Sequence, residues 1–349
     1  MRRALTVVLL TLAALVVVPA GTAAATPLSW RLTETGTDAQ LRGLSAVSRH
    51  VAWASGARGT VLRTVDSGRT WSDVGPPGTD TLDFRDIEAF DARTAVALSI
   101  GPGASSRVYR TSDGGATWTE TFRNPEEAAF YNCVAFFDRR HGLVVGDPVD
   151  GEFRVLSTSD GGRSWRTVPG DGIPDALPGE YQFSASGQCV TVAGREHAWI
   201  ATGGSDTARV LHSTDRGRTW TASDTPLASG ESAGVFAVAF RNPRQGVAIG
   251  GDYLNPDSGT DNLALTRDGG DTWRAPGNSP DGYRSAVTYH PFLPFALIAV
   301  GPTGSDLSLD GGRHWWPFDD GSFDSVDCGR DGACWASGEQ GRVATLQIG

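Results

Sequence analysis

Apolar and polar residues alternate with a period of two through RVYRT (residues 107–111) and RVLST (154–158), the pattern of a strand with one buried face. A second kind of segment recurs in a common register. It reads LRGLSAV from Leu41, FRDIEAF from Phe84, FYNCVAF from Phe130, SGQCVTV from Ser186, GVFAVAF from Gly234, YRSAVTY from Tyr283 and FDSVDCG from Phe323. These seven segments predict seven first strands. Second strands such as VAWASG, HAWIATGG and ACWASG follow, placing Trp53, Trp199 and Trp335 in equivalent positions. The alternating segments supply third strands, and an octet then turns the chain into a fourth.

The octet occurs six times: TVDSGRTW, TSDGGATW, TSDGGRSW, STDRGRTW, TRDGGDTW and SLDGGRHW. Its aspartates are Asp66, Asp113, Asp160, Asp215, Asp268 and Asp310, with steps of 47, 47, 55, 53 and 42 residues. A period of that size marks a repeat architecture in which each repeat is one supersecondary unit. Every residue of the octet has a use within a turn. The aspartate accepts from backbone N–H groups, glycine permits positive φ, the hydroxyls add local bonds and the tryptophan packs between sheets.

Four antiparallel strands repeated radially predict an all-β, seven-bladed β-propeller of four-stranded blades over residues 26–349. The seventh unit lacks an octet because the chain ends first. LSWRLTETG near the N-terminus supplies the outer strand, so one blade is predicted to be built from both chain ends, leaving no free sheet edge.

The first 25 residues change the compartment. Arg2 and Arg3, an apolar run over residues 4–18 and Ala23, Ala24 and Ala25 predict a secretion signal that is removed. No permanent membrane span is expected, since that run is short and no later one replaces it. The remaining chain carries 28 arginines against 40 carboxylates, which argues against nucleic-acid binding. An exported, secreted or envelope-located monomer is expected. Four cysteines then predict two disulfides. Cys328 and Cys334 bracket the turn sequence CGRDGAC. Cys133 and Cys189 share the fourth position of neighbouring first strands, which predicts a bridge from blade three to blade four; two buried thiols are the alternative.

The octets resemble Asp-boxes, also called BNR repeats, across nearly all of the chain after residue 25. Propellers of that kind include sialidases, other glycoside hydrolases, sorting-receptor domains and photosystem II assembly factors. A single ring with GDPVDGEF and GGDY between its strands most resembles the photosystem II stability and assembly factor group and its non-photosynthetic bacterial relatives. The resemblance implies a protein-binding or assembly module without a cofactor. The sequence has no GxGxxG after a strand, no CxxC and no CxxCH to support an oxidoreductase.

Candidate chemistry falls on the face opposite the octets, where long loops gather. The second position of the first strands reads Arg42, Arg85, Tyr131, Gly187, Val235, Arg284 and Asp324. Three arginines are thereby expected on one side of the channel mouth, suited to a carboxylate, a phosphate or a protein partner. The alternative is that Asp324 and Asp86 neutralise them. Asp147 and Asp252 lie in the neighbouring loops.

A glycosidase of sialidase type is the competing function, because a sialidase resembles this fold and grips its substrate carboxylate with three arginines. It would need Tyr253 or Tyr283 beside Glu180 or Glu231. GESAG matches the hydrolase elbow in letters, but a strand pattern follows Ser232 where a helix is required. The six histidines lack metal-ligand spacing, and Asp147, Asp150 and Glu152 fit a solvated turn better than a calcium loop, so no metal is expected.

Overall fold

The computed structural model describes residues 28–348; the leader expected over residues 1–25 lies outside them. The fold is a seven-bladed β-propeller of antiparallel sheets. Among the described residues, helix is limited to the single 3₁₀ turns Gly103–Ser105, Gly170–Gly172 and Gly187–Cys189. None is long or apolar enough to cross a membrane.

Blade one runs Leu41–Ala46, Ala52–Gly56, Val61–Thr64 and Ser72–Asp73; blade two Asp83–Ala89, Ala95–Ile100, Arg107–Thr111 and Thr119–Arg123. Blade three runs Tyr131–Phe136, Gly142–Val149, Glu152–Thr158 and Arg166–Thr167; blade four Val190–Ala193, His197–Ala201, Arg209–Ser213 and Thr221–Asp224. Blade five has Ala233–Asn242, Gln245–Asp252 and Leu263–Thr266, with Arg274 bonded to Leu265 at the outer position. Blade six runs Ala286–Tyr289, Leu297–Gly301, Gly304–Ser308 and Trp316–Asp319. Blade seven has Ser325–Cys328, Cys334–Ser337 and Val343–Ile348, and its outer strand is Leu28–Thr33, paired from Leu28↔Ile348 to Thr33↔Val343.

The octets close their own turns. At Asp113, Oδ1 accepts from the Thr111 hydroxyl (2.9 Å) and the Thr117 N–H (2.9 Å), Oδ2 accepts from the Thr117 hydroxyl (2.6 Å), and the Gly115 N–H donates to Thr111 Oγ1 (3.0 Å). The same clasp recurs at Asp66, Asp160, Asp215 and Asp268. At Asp310 the His314 ring replaces the hydroxyl at 2.5 Å. Bonds from Thr117 hold the Asp113 carboxyl down at about 2, and those from Thr70 do the same for Asp66. These six carboxylates are committed to structure; the one other acid in the octets is the exposed Asp271 of blade five.

Tryptophans join the blades. Trp53, Trp199 and Trp335 are fully buried, and each indole N–H donates to a carbonyl of the next blade: Asp91 (3.2 Å), Gly269 (2.6 Å) and Ser48 (3.2 Å). The octet tryptophan of the next blade packs edge-on against two of them, Trp118 on Trp53 and Trp71 on Trp335. A large apolar ring with one polar atom suits a seam between sheets whose backbones are already paired.

Blade four departs from the expected first strand. Only Val190–Ala193 pairs as a strand, because residues 184–189 leave the blade and cross the channel. Ser186 donates to the Ser285 carbonyl (2.9 Å), and Gln188 bridges the Val287 N–H and the Val326 carbonyl, both at 2.8 Å. The Cys133–Cys189 disulfide fastens this crossing to blade three, with Cα atoms 5.9 Å apart, and Cys328–Cys334 closes the blade-seven hairpin. Both bridges fit an oxidising environment.

The larger bridge spans 56 residues and restricts the unfolded chain. Replacing both Cys133 and Cys189 by alanine is expected to lower unfolding free energy by about 4 kcal/mol in the chain-entropy model. Urea unfolding checks this; the same change at Cys328 and Cys334 is expected to have a smaller effect because its loop is short.

Candidate functional site

The mouth opposite the octets is a cavity of about 500 Å³ around Arg42 and Arg85. Arg42 is the second residue of its inner strand and Arg85 the third, so both side chains stand at the end where the chain enters the inner strand. Arg85 is held by the Asp83 carboxylate (2.9 Å) and the Ser184 carbonyl of the crossing segment (2.8 Å). Arg42 stands 3.8 Å from Asp324 and its buried Nε has no hydrogen-bond partner. Burial and the neighbouring Arg85 guanidinium pull Arg42 below the usual arginine range, while burial pushes Asp324 up. Both shifts report charge that is poorly solvated and incompletely paired.

Aromatic rings form the opposite wall. Phe183 stacks on Phe236 with centroids 3.9 Å apart, and Tyr283 meets Phe236 edge-on at 4.7 Å. Tyr253 stands edge-on to both phenylalanines and is 46% exposed. Asn132, Asp147 and Gln182 complete a polar side, where Asp147 Oδ1 accepts from Asn132 Nδ2 (2.8 Å) and the Gln182 N–H (2.9 Å). Burial outweighs those bonds and pushes the Asp147 carboxyl up to about 6. Asn132 Oδ1 is buried without a partner. A guanidinium pair facing an aromatic wall can hold a carboxylate-bearing group whose remainder is apolar.

Several residues expected at this mouth lie elsewhere. Arg284 is buried, donating from Nε to Asp306 Oδ2 (2.6 Å) and from Nη1 to Thr303 (3.0 Å), so the third arginine is absent from the cluster. The inner strand of blade six begins only at Ala286, and the preceding residues turn toward the buried Asp306 on the third strand. Tyr131 is buried against Phe122, with its hydroxyl pushed up to about 12 by burial. Asp86 does not neutralise an arginine; it accepts from the Val134 (2.6 Å) and Ile87 (2.8 Å) N–H groups inside the channel.

The sialidase arrangement is not assembled. Glu180 is buried in a pair with Arg209 (2.5 and 3.0 Å) and accepts from Thr202 (2.6 Å). Glu231 is exposed, and its carbonyl accepts from Tyr181 rather than from Tyr253 or Tyr283. Burial also pushes the Tyr283 hydroxyl well above its ordinary value, the wrong direction for a nucleophile. Asp252 caps its own loop through Leu254 (3.0 Å) and Asn255 (2.5 Å). Strand Ala233–Asn242 follows Ser232, so no elbow forms. Asp150 and Gly151, at φ 53° and 84°, make the hairpin turn, and Glu152 instead lies 3.6 Å from Arg154.

Phe183, Phe236, Asn132 and Gln182 belong to the mouth and were not anticipated. Gln182 and Phe183 lie in EYQFSASG, within a loop longer than a turn requires, whereas Asn132 and Phe236 sit inside the first-strand segments FYNCVAF and GVFAVAF, whose pattern reports a strand and not a site.

The geometry defines a propeller with a polar and aromatic mouth. No family model matches the chain, and no curated protein matches its sequence significantly. Among solved structures it is similar to YCF48 bound to D1 peptide, at 14% identity and a TM-score of 0.64, covering 90% of this chain and 94% of that one. It is similar to YCF48 from Cyanidioschyzon merolae at 15% identity and a TM-score of 0.59, covering 91% and 98%. A GH74 xyloglucanase from Xanthomonas campestris aligns at 18% identity and a TM-score of 0.62, covering 91% of this chain but 53% of the longer enzyme.

Asp147 gives this site a pH signature. Its folded carboxyl is raised to about 6, so folding binds a proton that the unfolded chain releases near pH 4. Stability is expected to fall as pH rises from about 4 to 6 and then level off. Asp147→Asn keeps both accepted bonds and removes the charge, so its melting temperature is expected to match the parent at pH 4 and exceed it at pH 8. Parallel melting profiles across that range overturn the assignment.

Proposed function

We propose that this chain is an exported, monomeric and non-catalytic binding or assembly module that captures a carboxylate-bearing segment of a protein partner at the Arg42–Arg85 mouth. The observation that carries this reading is the placement of Arg42, whose buried Nε has no hydrogen-bond partner, beside the partly exposed Arg85 in one open cavity against Phe183, Phe236, Tyr253 and Tyr283. A carboxylate between the arginines would relieve their mutual repulsion, and aromatic faces would cover an adjoining apolar side chain. The record of YCF48 bound to a D1 peptide supports a peptide as the form of the ligand. Two disulfides support export.

Arg42 and Arg85 are each only 23% exposed along the side chain, so replacing both by alanine is expected to lower stability by about 1–2 kcal/mol and to leave the chain folded, which circular dichroism checks. Crosslinking capture from the native envelope fraction is expected to weaken strongly in this double variant and in raised salt. Capture of the same partner set by parent and double variant overturns the site.

A catalytic role is checked separately with a fluorogenic sialoside. No release is expected. Turnover that disappears in Tyr253→Phe or Tyr283→Phe would establish the competing enzyme reading.

A further inference from the structure

The loop joining the first two strands of blade six differs from its counterparts. Other blades place SRH, DAR, DRRH, GRE, NPR and GRDG there, whereas blade six has HPFLPF, residues 290–295. Phe292, Leu293 and Phe295 are 63%, 52% and 51% exposed. Single exposed apolar residues are ordinary, but a contiguous group on a turn marks an interaction surface.

The loop is shaped to hold this exposure. His290 Nδ1 accepts from the Phe292 and Leu293 N–H groups at 3.2 Å, and Nε2 contacts the Gly332 carbonyl at 3.1 Å. The Ala296 N–H donates to Leu293 (2.8 Å), and the Gly311 N–H of the adjacent octet donates to Phe295 (2.8 Å). Leu309, two residues before Gly311, is 57% exposed. With these backbone groups satisfied, the apolar side chains stay outside.

One cation touches the apolar tip, and two more stand on the segments bonded to it. The Arg241 guanidinium lies 4.6 Å over Phe295 and donates to the Pro294 carbonyl (2.9 Å). Arg313 in the adjacent octet and Arg330 in the neighbouring loop are exposed. The nearby acids are engaged, Asp310 within its octet and Asp331 with Arg49. The wider face shares this bias. Its octets and first-to-second-strand loops carry 13 arginines and 11 carboxylates, of the 28 and 40 in residues 28–348. Six of those 11 are octet aspartates that stay ionised inside their turns, so the face has two more arginines than carboxylates while the rest of residues 28–348 has 14 more carboxylates than arginines.

We propose that the octet face docks on an anionic lipid bilayer, with Phe292, Leu293 and Phe295 entering the headgroup region and Arg241, Arg313 and Arg330 meeting the lipid phosphates. An apolar tip with arginines on it and on the adjoining segments, on a molecule that is otherwise acidic, matches the two contributions that bind peripheral proteins to such surfaces. This surface lies opposite the Arg42–Arg85 mouth and does not depend on the function proposed for that mouth.

The test is co-sedimentation of the mature protein with phosphatidylglycerol–phosphatidylcholine vesicles. Binding is expected with these vesicles, to decline in raised salt and to be nearly absent with phosphatidylcholine alone. Replacing Phe292, Leu293 and Phe295 together by serine is expected to reduce the bound fraction at least about fivefold. Arg313→Glu with Arg330→Glu, which leaves the apolar tip intact, is expected to reduce it similarly at low salt. Circular dichroism confirms that each variant is folded. No binding by the parent, or equal binding by the folded loop variant, overturns the proposal. A dimer in analytical ultracentrifugation that is lost in the loop variant, without vesicle binding, assigns the patch to self-association instead.

Discussion

The innermost strand of each blade has one edge with no strand beside it, and the ring depends on side chains from other blades filling that edge. An unpaired backbone N–H inside a protein destabilises it by about as much as a lost hydrogen bond, so these edges need partners. Ser45 of blade one accepts from Ala89 of blade two, and Asp86 of blade two from Val134 of blade three. Gln188, between blades three and four, reaches Val287 of blade six and Val326 of blade seven. Asp327 of blade seven accepts from Ala46 of blade one at 2.8 Å, which returns the sequence of contacts to its start. The tryptophan seams farther out add apolar burial, while these polar links hold the inner strands of blades one, two, three, six and seven in place.

The same requirement divides the channel. Residues 184–189 cross it to satisfy blades six and seven, and a Cβ on Gly187 would lie 2.1 Å from Asp86 Oδ1, so only glycine allows the passage. On the octet side of this crossing the channel holds Asp86, Glu88 and Asp327 and no arginine. Burial raises all three carboxyls, Asp327 to about 6. On the other side stand Arg42 and Arg85, the latter bonded to the crossing segment itself. One structural link therefore separates an acidic channel from the mouth that holds both arginines, and it also positions Arg85.

The propeller was legible because its strongest signals are periodic. Octets, repeated first strands and equivalent tryptophans report the same unit, and Cys133 and Cys189 could be paired from their common register. The mouth was less legible because alignment of first strands does not fix where a side chain goes once the strand has ended. Arg42 and Arg85 sit at strand positions and reach the cavity. Arg284 precedes its strand and is captured by Asp306, just as Glu180 is captured by Arg209. In both cases a charged residue at a buried place on a third strand requires a partner. A signal was present in GSDLS, where Asp306 interrupts the strand, but not in RVLHS, where Arg209 takes the same first place as Arg107 in RVYRT, and even the former becomes decisive only when the loop that supplies the partner is known.

The octet shows how a fixed turn leaves freedom for surface chemistry. Its first residue, aspartate, second glycine, seventh residue and tryptophan are committed to the clasp and the blade seam. The sixth residue is not, and it reads Arg69, Ala116, Arg163, Arg218, Asp271 and Arg313 around the ring. Arg69 and Arg163 bond only to the carbonyl of their own octet aspartate, so their positive charge remains available to solvent. Because backbone and aspartate satisfy one another inside the turn, charge at this position can change without altering the fold. The basic character of the octet face is therefore separable from the repeat that displays it, whereas the mouth on the other face draws its arginines from inner strands whose every neighbour is constrained.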